Sequence, residues 1–316
     1  ASYEARKREP IRGTYRDYEI ISMPPPSSGG TVLVQMLNVL EGYDLASLGF
    51  RSAQTVHLIA EAMRRGYADR ALHLGDPDFN ADMPIARLTS KSYAAEQRMS
   101  IDTDRASVSS PTSFTWPAES SETTHFSVVD RDRNAVSLTY TLEFGYGSGI
   151  VVPGAGFLLN NEMGDFNAGP DTTTAEGLIG TEPNLTAPAK RMLSSMTPTI
   201  VAKGDQLFMV TGSPGGRTII NTVLHTILNV VDFGMNIQEA IDAPRFHHQW
   251  LPDRINYERH GLSPDTLTLL ESRGHALREV TGQGVAEAIL FNVEDNLLEA
   301  GLDRRAADGG AVGTDR

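Results

Sequence analysis

The sequence predicts an α+β fold built in layers, and three observations support this prediction. Residues Asn134–Glu143 alternate apolar side chains with hydroxyl side chains, which is the period of a strand with two different faces. Residues Arg217–Val231 are apolar at most positions, as in a buried helix. Strand patterns lie on both sides of that helix, so strands, a long helix and more strands follow one another along the chain.

The first part of the chain, residues 1–122, is predicted to be mostly helical. Apolar residues recur at helical spacing in three segments, which are Thr31–Leu40, Ser52–Leu74 and Lys91–Met99. Residues 102–121 are rich in Ser, Thr, Pro, Asp and Glu, which favours a loop or flexible linker. We expect this part and residues 123–316 to form one structural domain.

The second part begins with two predicted strands around a turn. In the second of them we expect one face to be buried while the other presents hydroxyls. The polar segment Asn167–Ala189 is predicted to be a loop. The remaining predicted strands and helices are Thr124–Asp130, Phe157–Asn160, Thr199–Ala202, Gln206–Val210, Asn236–Ala243, Ser263–Ser272 and Ala286–Val293.

Composition limits the classes of partner. The net charge of −13 argues against nucleic acid and against an anionic membrane surface, because like charges repel. No stretch approaches the ~20 apolar residues of a membrane span. The chain has no cysteine, which excludes thiolate chemistry and suits an oxidising compartment. No signal peptide is visible, and the first residue is Ala1 rather than Met, which is consistent with removal of an N-terminal segment.

Thr123 stands where the polar linker meets the first strand of the second part. A threonine hydroxyl is a weak nucleophile that needs a base beside it. If the chain is cut between Glu122 and Thr123, the freed α-amine, with an ordinary pKa of about 7.7–8.0, supplies that base. Linkers often meet strands at a threonine, however, so local chemistry alone favours the structural interpretation.

Motifs along nearly the whole chain resemble, in order and spacing, those of the gamma-glutamyltransferases, which are N-terminal-nucleophile hydrolases. Two upstream motifs, Ser22–Gly30 and Tyr67–Arg70, resemble the end of the family's large subunit. The motifs that resemble its small subunit are Thr123–Asp130, Thr139–Glu143, Leu158–Phe166, Leu193–Thr199, Gly212–Gly216 and Pro244–Trp250. The resemblance implies a four-layer αββα sandwich with two central sheets between helices.

The resemblance also implies catalytic roles. Thr123 would attack the γ-carbonyl of a γ-glutamyl substrate, with its own amine as general base, and Thr141 would orient that amine. Gly215 and Gly216 lie just before the apolar helix. Their backbone N–H groups, with the positive end of the helix dipole behind them, are suited to stabilise a tetrahedral oxyanion.

Substrate binding is implied for two further groups. Glu143, Glu162 and Asp165 occupy the family positions that hold the substrate α-amino group, although many members carry Asn in place of Glu143. Ser194 and Ser195 would donate hydrogen bonds to the α-carboxylate.

Three features depart from the family pattern. The first half of the family's precursor, with an arginine that grips the α-carboxylate, has no counterpart here, and no arginine of this sequence can be assigned to that role. Glu176 stands where some members carry an aromatic residue in a lid over the substrate, so we expect more hydrolysis relative to transfer. The sequence is continuous across Glu122 and Thr123 and therefore represents the uncut form.

Other catalytic patterns are weaker. His125, His247 and His248 lack the spacing of a zinc motif, and neighbours on a strand face opposite ways, so we expect structural roles for them. Ser213 lies in Gly-Ser-Pro-Gly-Gly, which differs from the Gly-x-Ser-x-Gly nucleophile elbow. No metal or cofactor is expected.

The predicted function is cleavage of γ-glutamyl amides such as glutathione, after autocleavage between Glu122 and Thr123. The glutamyl group would pass to water or to an amino-acid or dipeptide acceptor. The absent N-terminal part of the large subunit is a candidate partner, and the family implies a periplasmic or secreted location. Three alternatives stay open: a cephalosporin-acylase-like relative, a polyglutamate-cleaving relative, and an inactive truncated or unprocessed scaffold.

Overall fold

The structure is a computed structural model that describes residues 3–110, 123–167, 169–170, 172–175, 177, 179–307 and 309–314. A β-hairpin opens the first part and helices follow it. These elements are β1 (Ile11–Tyr15), β2 (Tyr18–Ser22), α1 (Gly29–Leu40), α2 (Leu45–Leu48), α3 (Ala53–His73), α4 (Ile85–Leu88) and α5 (Lys91–Met99).

The second part begins with another hairpin and continues with alternating strands and helices. Its elements are β3 (Thr124–Val129), β4 (Ala135–Tyr140), β5 (Thr199–Lys203), β6 (Gln206–Gly212), α6 (Thr218–Val231), α7 (Ile237–Asp242), β7 (Phe246–His247), β8 (Ile255–Glu258), α8 (Pro264–Ser272), β9 (Leu277–Val280), β10 (Glu287–Asn292) and β11 (Leu297–Leu302).

Six antiparallel strands form the main sheet, in the order β1-β2-β5-β6-β10-β11. Strand β2 pairs with β5 from Ser22 opposite Thr199 to Tyr18 opposite Lys203. Strands from both sides of the predicted cleavage point therefore share one sheet. Strands β7, β8 and β9 form a separate three-stranded sheet, in which β8 and β9 run parallel.

Helices cover one face of the main sheet, and the β3–β4 hairpin faces the other. A Cβ at Gly301 of β11 would overlap the Ile241 side chain of α7, whereas a Cβ at Gly212 of β6 would overlap the ring of His125 in β3. The register places Gly301 on the same face as Thr211, and Gly212 is the next residue along β6. Because successive strand residues point to opposite faces, α7 and the hairpin lie on opposite sides of the sheet.

The core lies on the helix side. Every residue of α1 is buried, because α1 lies between strands β1 and β2, α3, α5 and α6. Ser52 caps the N-terminus of helix α3, because its side chain accepts a hydrogen bond from the Thr55 N–H and so satisfies one of the free donors of the first turn. This rigid layer fixes the positions of the turns that enter the site.

The hairpin has its polar face inside, which reverses our expectation for β4. Ser137 donates to the Thr211 carbonyl and accepts from the Thr199 N–H, both at 3.0 Å. The apolar side chains of the other face are exposed, and they form what we call the outer apolar face, which consists of Phe126, Val128, Val136, Leu138 and Tyr140. Period two defines two faces but not which one a neighbouring layer covers, so the sequence alone could not fix the orientation.

Other expectations also changed. The β1–β2 hairpin, the sheet of β7, β8 and β9, and β11 were not predicted. Because of the β1–β2 hairpin, the described part of residues 1–122 is less helical than expected. Phe157–Asn160 is not a regular strand, since Val151 and Leu158 form only an isolated bridge between turns with glycines at positive φ. No helix among the described residues is both long and apolar enough to span a bilayer.

Candidate active site

Thr123 lies immediately before β3, opposite the residue that follows β4. Thr124 pairs with Tyr140, so the hairpin register brings Thr123 and Thr141 together. The Thr123 hydroxyl donates to Thr141 Oγ1 at 3.3 Å, and the Glu143 N–H donates to the same oxygen at 2.9 Å. Thr141 is therefore held in place beside the predicted nucleophile.

Gly215 and Gly216 form the turn between β6 and α6. Their φ values are 132° and 55°, a region in which side chains other than hydrogen cause strain. The Gly215 carbonyl accepts from the Thr218 N–H at 3.1 Å and the Gly216 carbonyl from the Ile219 N–H at 3.2 Å. Among the described residues neither glycine N–H has an acceptor, and both lie at the N-terminal end of α6, where an oxyanion is favoured.

The three predicted acidic residues lie together. Glu162 and Asp165 belong to a 3₁₀ turn, and Glu143 comes close enough to meet a Cβ at Gly164 at 2.8 Å. Glu162 is buried, and Oε2 has no hydrogen-bond partner among the described residues. Burial, together with the Asp165 and Glu143 carboxylates, raises the pKa of Glu162 to about 8. A cation bound beside these three carboxyl groups would therefore offset their mutual repulsion.

The serine pair is held by the proline-rich turn before α1. The Ser28 N–H donates to the Ser194 carbonyl at 2.9 Å, and the Ser194 N–H donates to the Pro26 carbonyl at 3.0 Å. The Ser28 hydroxyl donates to the same Ser194 carbonyl at 2.8 Å. The upstream motif thus orients Ser194 and Ser195 from the other side of the predicted cleavage point.

Two cavities open on either side of Thr123. A narrow one, of about 40 Å³, is lined by Thr123, Thr141, Glu143, Asp165, Ser194, Ser195, Met196, Gly216, Arg217 and Ile219. A wider one, of about 490 Å³, is lined by Thr123, Thr124, His125, Pro214, Gly215, Gly282, Gly284, Val285, Glu287, Arg305, Ala306 and Gly309. The structure thus brings together every predicted site residue that it describes. Gly215 lines the wide cavity, and Glu162 is buried within electrostatic reach of Asp165 and Glu143. Glu122 and Glu176 lie outside the described residues.

Two arginines that the sequence analysis did not assign to the site lie close to it. Arg217 lines the narrow cavity, and Arg70 of α3 donates to Ser195 Oγ at 3.0 Å. Arg70 lies in a motif that the resemblance singled out, so its presence was signalled. The contact of Arg70 with Ser195 was not signalled, because these two residues are 125 positions apart in the sequence.

The other candidate nucleophiles and bases are buried in hydrogen bonds. His125 contacts the hydroxyls of Thr139 and Ser127, and burial lowers its pKa to about 4. His247 and His248 are both buried and bonded, to Asn221 and Asp253 respectively. Ser213 is buried and donates to the Pro214 carbonyl. These contacts support structural roles.

His57, Glu61 and His275 bring three potential metal ligands within 4.8 Å of one another. Hydrogen bonds account for their approach. The Asp102 carbonyl can only accept, so His57 carries its proton on Nε2, and Nδ1 accepts from His275 Nε2 at 2.8 Å. The Glu61 carboxylate is held by Arg64, Arg65 and Ser107. The hydrogen bonds of His57 to Asp102 and of Glu61 to Ser107 hold residues 102–107 against α3.

Comparison with known proteins places this geometry in a family. Residues 1–313 match the family model for gamma-glutamyltranspeptidase. The chain is 48% identical over 311 residues to the glutathione hydrolase proenzyme of Escherichia coli (strain K12), an alignment that covers 98% of this chain and 53% of that protein. It is 39% identical over 313 residues to the acylase ACY 1 proenzyme of Pseudomonas sp. (strain SE83), covering 99% of this chain and 53% of that protein.

Among solved structures, the cephalosporin acylase from Bacillus halodurans superposes with a TM-score of 0.77 at 26% identity, over 96% of this chain and 53% of that one. This likeness confirms the predicted α+β fold of the N-terminal-nucleophile hydrolases. The chain spans about half the length of the curated relatives it matches.

Proposed function

This chain belongs to the gamma-glutamyltranspeptidase family, and on that premise we propose that the complete protein cleaves γ-glutamyl amides such as glutathione. The glutamyl group passes to water or to an amino-acid or dipeptide amine. The observation that carries this proposal is the convergence of one set of predicted residues on one narrow cavity, which is lined by Thr123, Thr141, Gly216, Glu143, Asp165 and the serine pair.

Activation begins in the uncut chain. The Thr123 hydroxyl attacks the carbonyl carbon of Glu122, and the acyl group moves from the Thr123 nitrogen to its oxygen. Water then hydrolyses the ester, which leaves a carboxylate on Glu122 and a free amine on Thr123. That amine is the base that the hydroxyl lacks before cleavage.

Turnover follows in two half-reactions. The Thr123 amine takes the hydroxyl proton while the oxygen bonds to the γ-carbonyl carbon of the donor. The Gly215 and Gly216 N–H groups stabilise the resulting oxyanion, a contribution of roughly 3–4 kcal/mol per donor in a well-studied hydrolase. The C–N bond breaks, and the amine returns the proton to the leaving nitrogen. Water or an acceptor amine then attacks the γ-glutamyl ester and releases Thr123.

The acidic residues favour a γ-glutamyl donor over the glutaryl donor of an acylase. A glutaryl group differs from a γ-glutamyl group only in lacking the α-ammonium. With a glutaryl group bound, the buried Glu162 carboxyl would keep an oxygen without a hydrogen-bond partner among the described residues, which is costly for a buried polar group. The wider cavity beyond Thr123 offers room for a leaving amine or an acceptor of variable size.

The test offers the complete protein a γ-glutamyl anilide, the matching glutaryl anilide, a glutaryl-cephalosporin and a γ-linked polyglutamate. We expect the γ-glutamyl anilide to exceed the glutaryl anilide in kcat/KM by roughly 10²-fold, because a site built for a polar group rejects an analogue lacking it. Equal or higher activity on glutaryl donors would favour the acylase alternative. A preference for the polymer would favour the polyglutamate-cleaving alternative, and no turnover and no acylation of Thr123 would favour the scaffold.

The outer apolar face supports a partner for this chain. Phe126 lies opposite Leu138, and Val128 lies opposite Val136, so the exposed side chains form a continuous apolar surface on the hairpin. Surfaces of this kind mark interaction sites. We propose that the N-terminal half that relatives of this chain carry covers it and completes the outer helical layer. A periplasmic or secreted location is proposed as well, in line with the absence of cysteine.

A further inference from the structure

Arg70 lies behind the serine pair, on the face of α3 that points toward the site. Arg70 is buried, with 8% of its surface exposed to solvent. Arg70 Nε donates to Ser28 Oγ at 2.9 Å, and a terminal nitrogen donates to Ser195 Oγ at 3.0 Å. One guanidinium therefore joins the turn before α1 to the serine that lines the narrow cavity.

The direction of these bonds constrains the Ser195 proton. A guanidinium has no acceptor, so both hydroxyl oxygens must accept from Arg70. The Ser28 hydroxyl in turn donates its own proton to the Ser194 carbonyl at 2.8 Å. Within the described ranges no acceptor is found for the Ser195 hydroxyl proton, while Ser195 lines the cavity. The hydroxyl is thus prepared to donate to a ligand in that cavity.

Helix α3 also supports the opposite end of the cavity. Tyr67, one turn before Arg70, donates its hydroxyl proton to the Arg217 carbonyl, directly after Gly215 and Gly216. The same rigid helix therefore positions the glycine turn and the serine pair relative to each other. A fixed spacing between them sets the distance between the reacting carbonyl and the far end of a bound donor.

We propose that Arg70 is a positioning residue for the α-carboxylate of the donor. It holds Ser195 as a hydrogen-bond donor and places a positive charge one hydroxyl behind the carboxylate. This inference rests on the proposed function for the identity of the ligand. It also supplies a cation at the end of the cavity where the sequence offered no assignable arginine. Arg70 acts through Ser195, because Ser195, and not Arg70, is among the described residues that line the narrow cavity.

The test measures binding rather than turnover. Calorimetry on the complete, cleaved protein compares L-glutamate with 4-aminobutanoate, which lacks only the α-carboxylate. In Arg70→Lys, which keeps the charge but cannot reach both serines, we expect L-glutamate to bind roughly tenfold more weakly, as for loss of a hydrogen bond to a charged group. Binding of 4-aminobutanoate should be unchanged. The matched control is Arg65→Lys on the same helix, since Arg65 pairs with Glu61 and Ser100.

A double-mutant cycle with Ser195→Ala keeps the inference falsifiable if Arg70 variants are less stable. In the Ser195→Ala background, Arg70→Lys should cause no further loss of L-glutamate binding. Equal losses for both ligands, or additive losses in the cycle, would reduce Arg70 to a general structural role and overturn the inference. No binding of L-glutamate by the unaltered protein would also overturn it. Arg70-dependent glutamate binding without hydrolysis of γ-glutamyl anilide would instead uphold it while refuting the proposed function.

Discussion

The two faces of the main sheet are joined to the rest of the molecule by different interactions. On the helix side, α1 is buried along its whole length, and α6 buries seven apolar side chains, which are Ile219, Ile220, Val223, Leu224, Ile227, Leu228 and Val230. On the hairpin side, hydroxyls and the His125 imidazole meet the sheet, while the apolar side chains point outward. Apolar burial is the larger source of stability, whereas hydrogen bonds fix direction.

This difference separates stability from chemistry. The helix side supplies a rigid platform that carries the glycine turn, Tyr67 and Arg70. The hairpin side supplies Thr123 and Thr141, whose hydroxyls the proposed mechanism requires to be oriented rather than merely packed. A hairpin held through polar contacts, with its outer apolar face exposed, is the basis for the proposal that the N-terminal half of the complete protein covers this side.

The largest expected effect comes from removing one hairpin-side hydroxyl. Thr141→Val keeps the shape of the side chain but removes the oxygen that meets Thr123 at 3.3 Å. We expect kcat to fall by roughly 10²-fold, since the general base loses its orientation. The matched control on the helix side is Thr226→Val, whose hydroxyl bonds the Thr222 carbonyl at 3.0 Å. Steady-state kinetics should show kcat unchanged there, and equal losses in both variants would break the comparison.

A matched pair of leucines compares the stability of the two sides. Leu37 in α1 is fully buried, whereas Leu138 in β4 is 37% exposed. Leu37→Ala should lower the free energy of unfolding by roughly 2–5 kcal/mol. Leu138→Ala should change it by about 0.5 kcal/mol or less in this chain. Denaturant unfolding measures both.

The same leucine pair tests the proposed partner. If the N-terminal half covers the outer apolar face, the cost of Leu138→Ala should rise in the complete protein, while that of Leu37→Ala stays the same. An unchanged Leu138→Ala cost would show that the face remains exposed.

Glu162 should make donor binding depend on pH. Burial and the neighbouring Asp165 and Glu143 carboxylates raise its pKa to about 8, so the carboxyl is largely neutral at pH 7 in the empty site. An ammonium favours the ionised form, so KM for a γ-glutamyl anilide should fall as pH rises toward 8, by about tenfold per pH unit at most for one released proton. Glu162→Gln should flatten the profile, and an unchanged profile would remove Glu162 from donor binding.

Glu162 should make folding stability depend on pH in the opposite direction from donor binding: binding strengthens as pH rises, whereas stability falls. Its folded pKa lies above the ordinary value of 4.5, so the neutral form stabilises the folded state below that value. The contribution is lost as pH rises through about 8. Thermal unfolding of Glu162→Gln should therefore be less sensitive to pH between these limits than that of the unaltered protein.

The smallest effect concerns the wide cavity on the hairpin side. A Cβ at Gly282 would meet only Arg305 Cδ, at 3.9 Å, so a larger side chain fits without displacing backbone. Gly282→Val should lower transfer to a dipeptide acceptor by roughly tenfold or less, while hydrolysis of the same donor changes little. The ratio of transfer to hydrolysis measures this, and an unaltered ratio would argue that acceptors enter elsewhere.

The helices were the most predictable part of the fold. The boundaries predicted for α1, α3 and α5 lie within two residues of those observed, because apolar spacing and caps such as Ser52 are local signals. The β1–β2 hairpin was missed because its strands have only five residues each and are interrupted by charge. Arg12 lies in β1, Glu19 lies in β2, and Arg16 lies in the turn between them. Short, charged strands give little periodic signal.

The residues of the candidate site could be named from the sequence, but their arrangement could not. Motifs named Thr123, Thr141 and the serine pair, yet the orientation of β4 and the contact of Arg70 with Ser195 depend on tertiary packing. A pattern along one strand cannot report which layer covers it, and a motif cannot report a partner 125 residues away.

The most direct measurement is the mass of the chain after folding of the complete protein. The account predicts two fragments that meet between Glu122 and Thr123, with the second beginning Thr-Thr-His, and activity that rises as they form. Thr123→Ala should remain intact and inactive. Full activity in a chain that stays uncut at this bond would contradict the central claim that Thr123 becomes a nucleophile by acquiring a free amine.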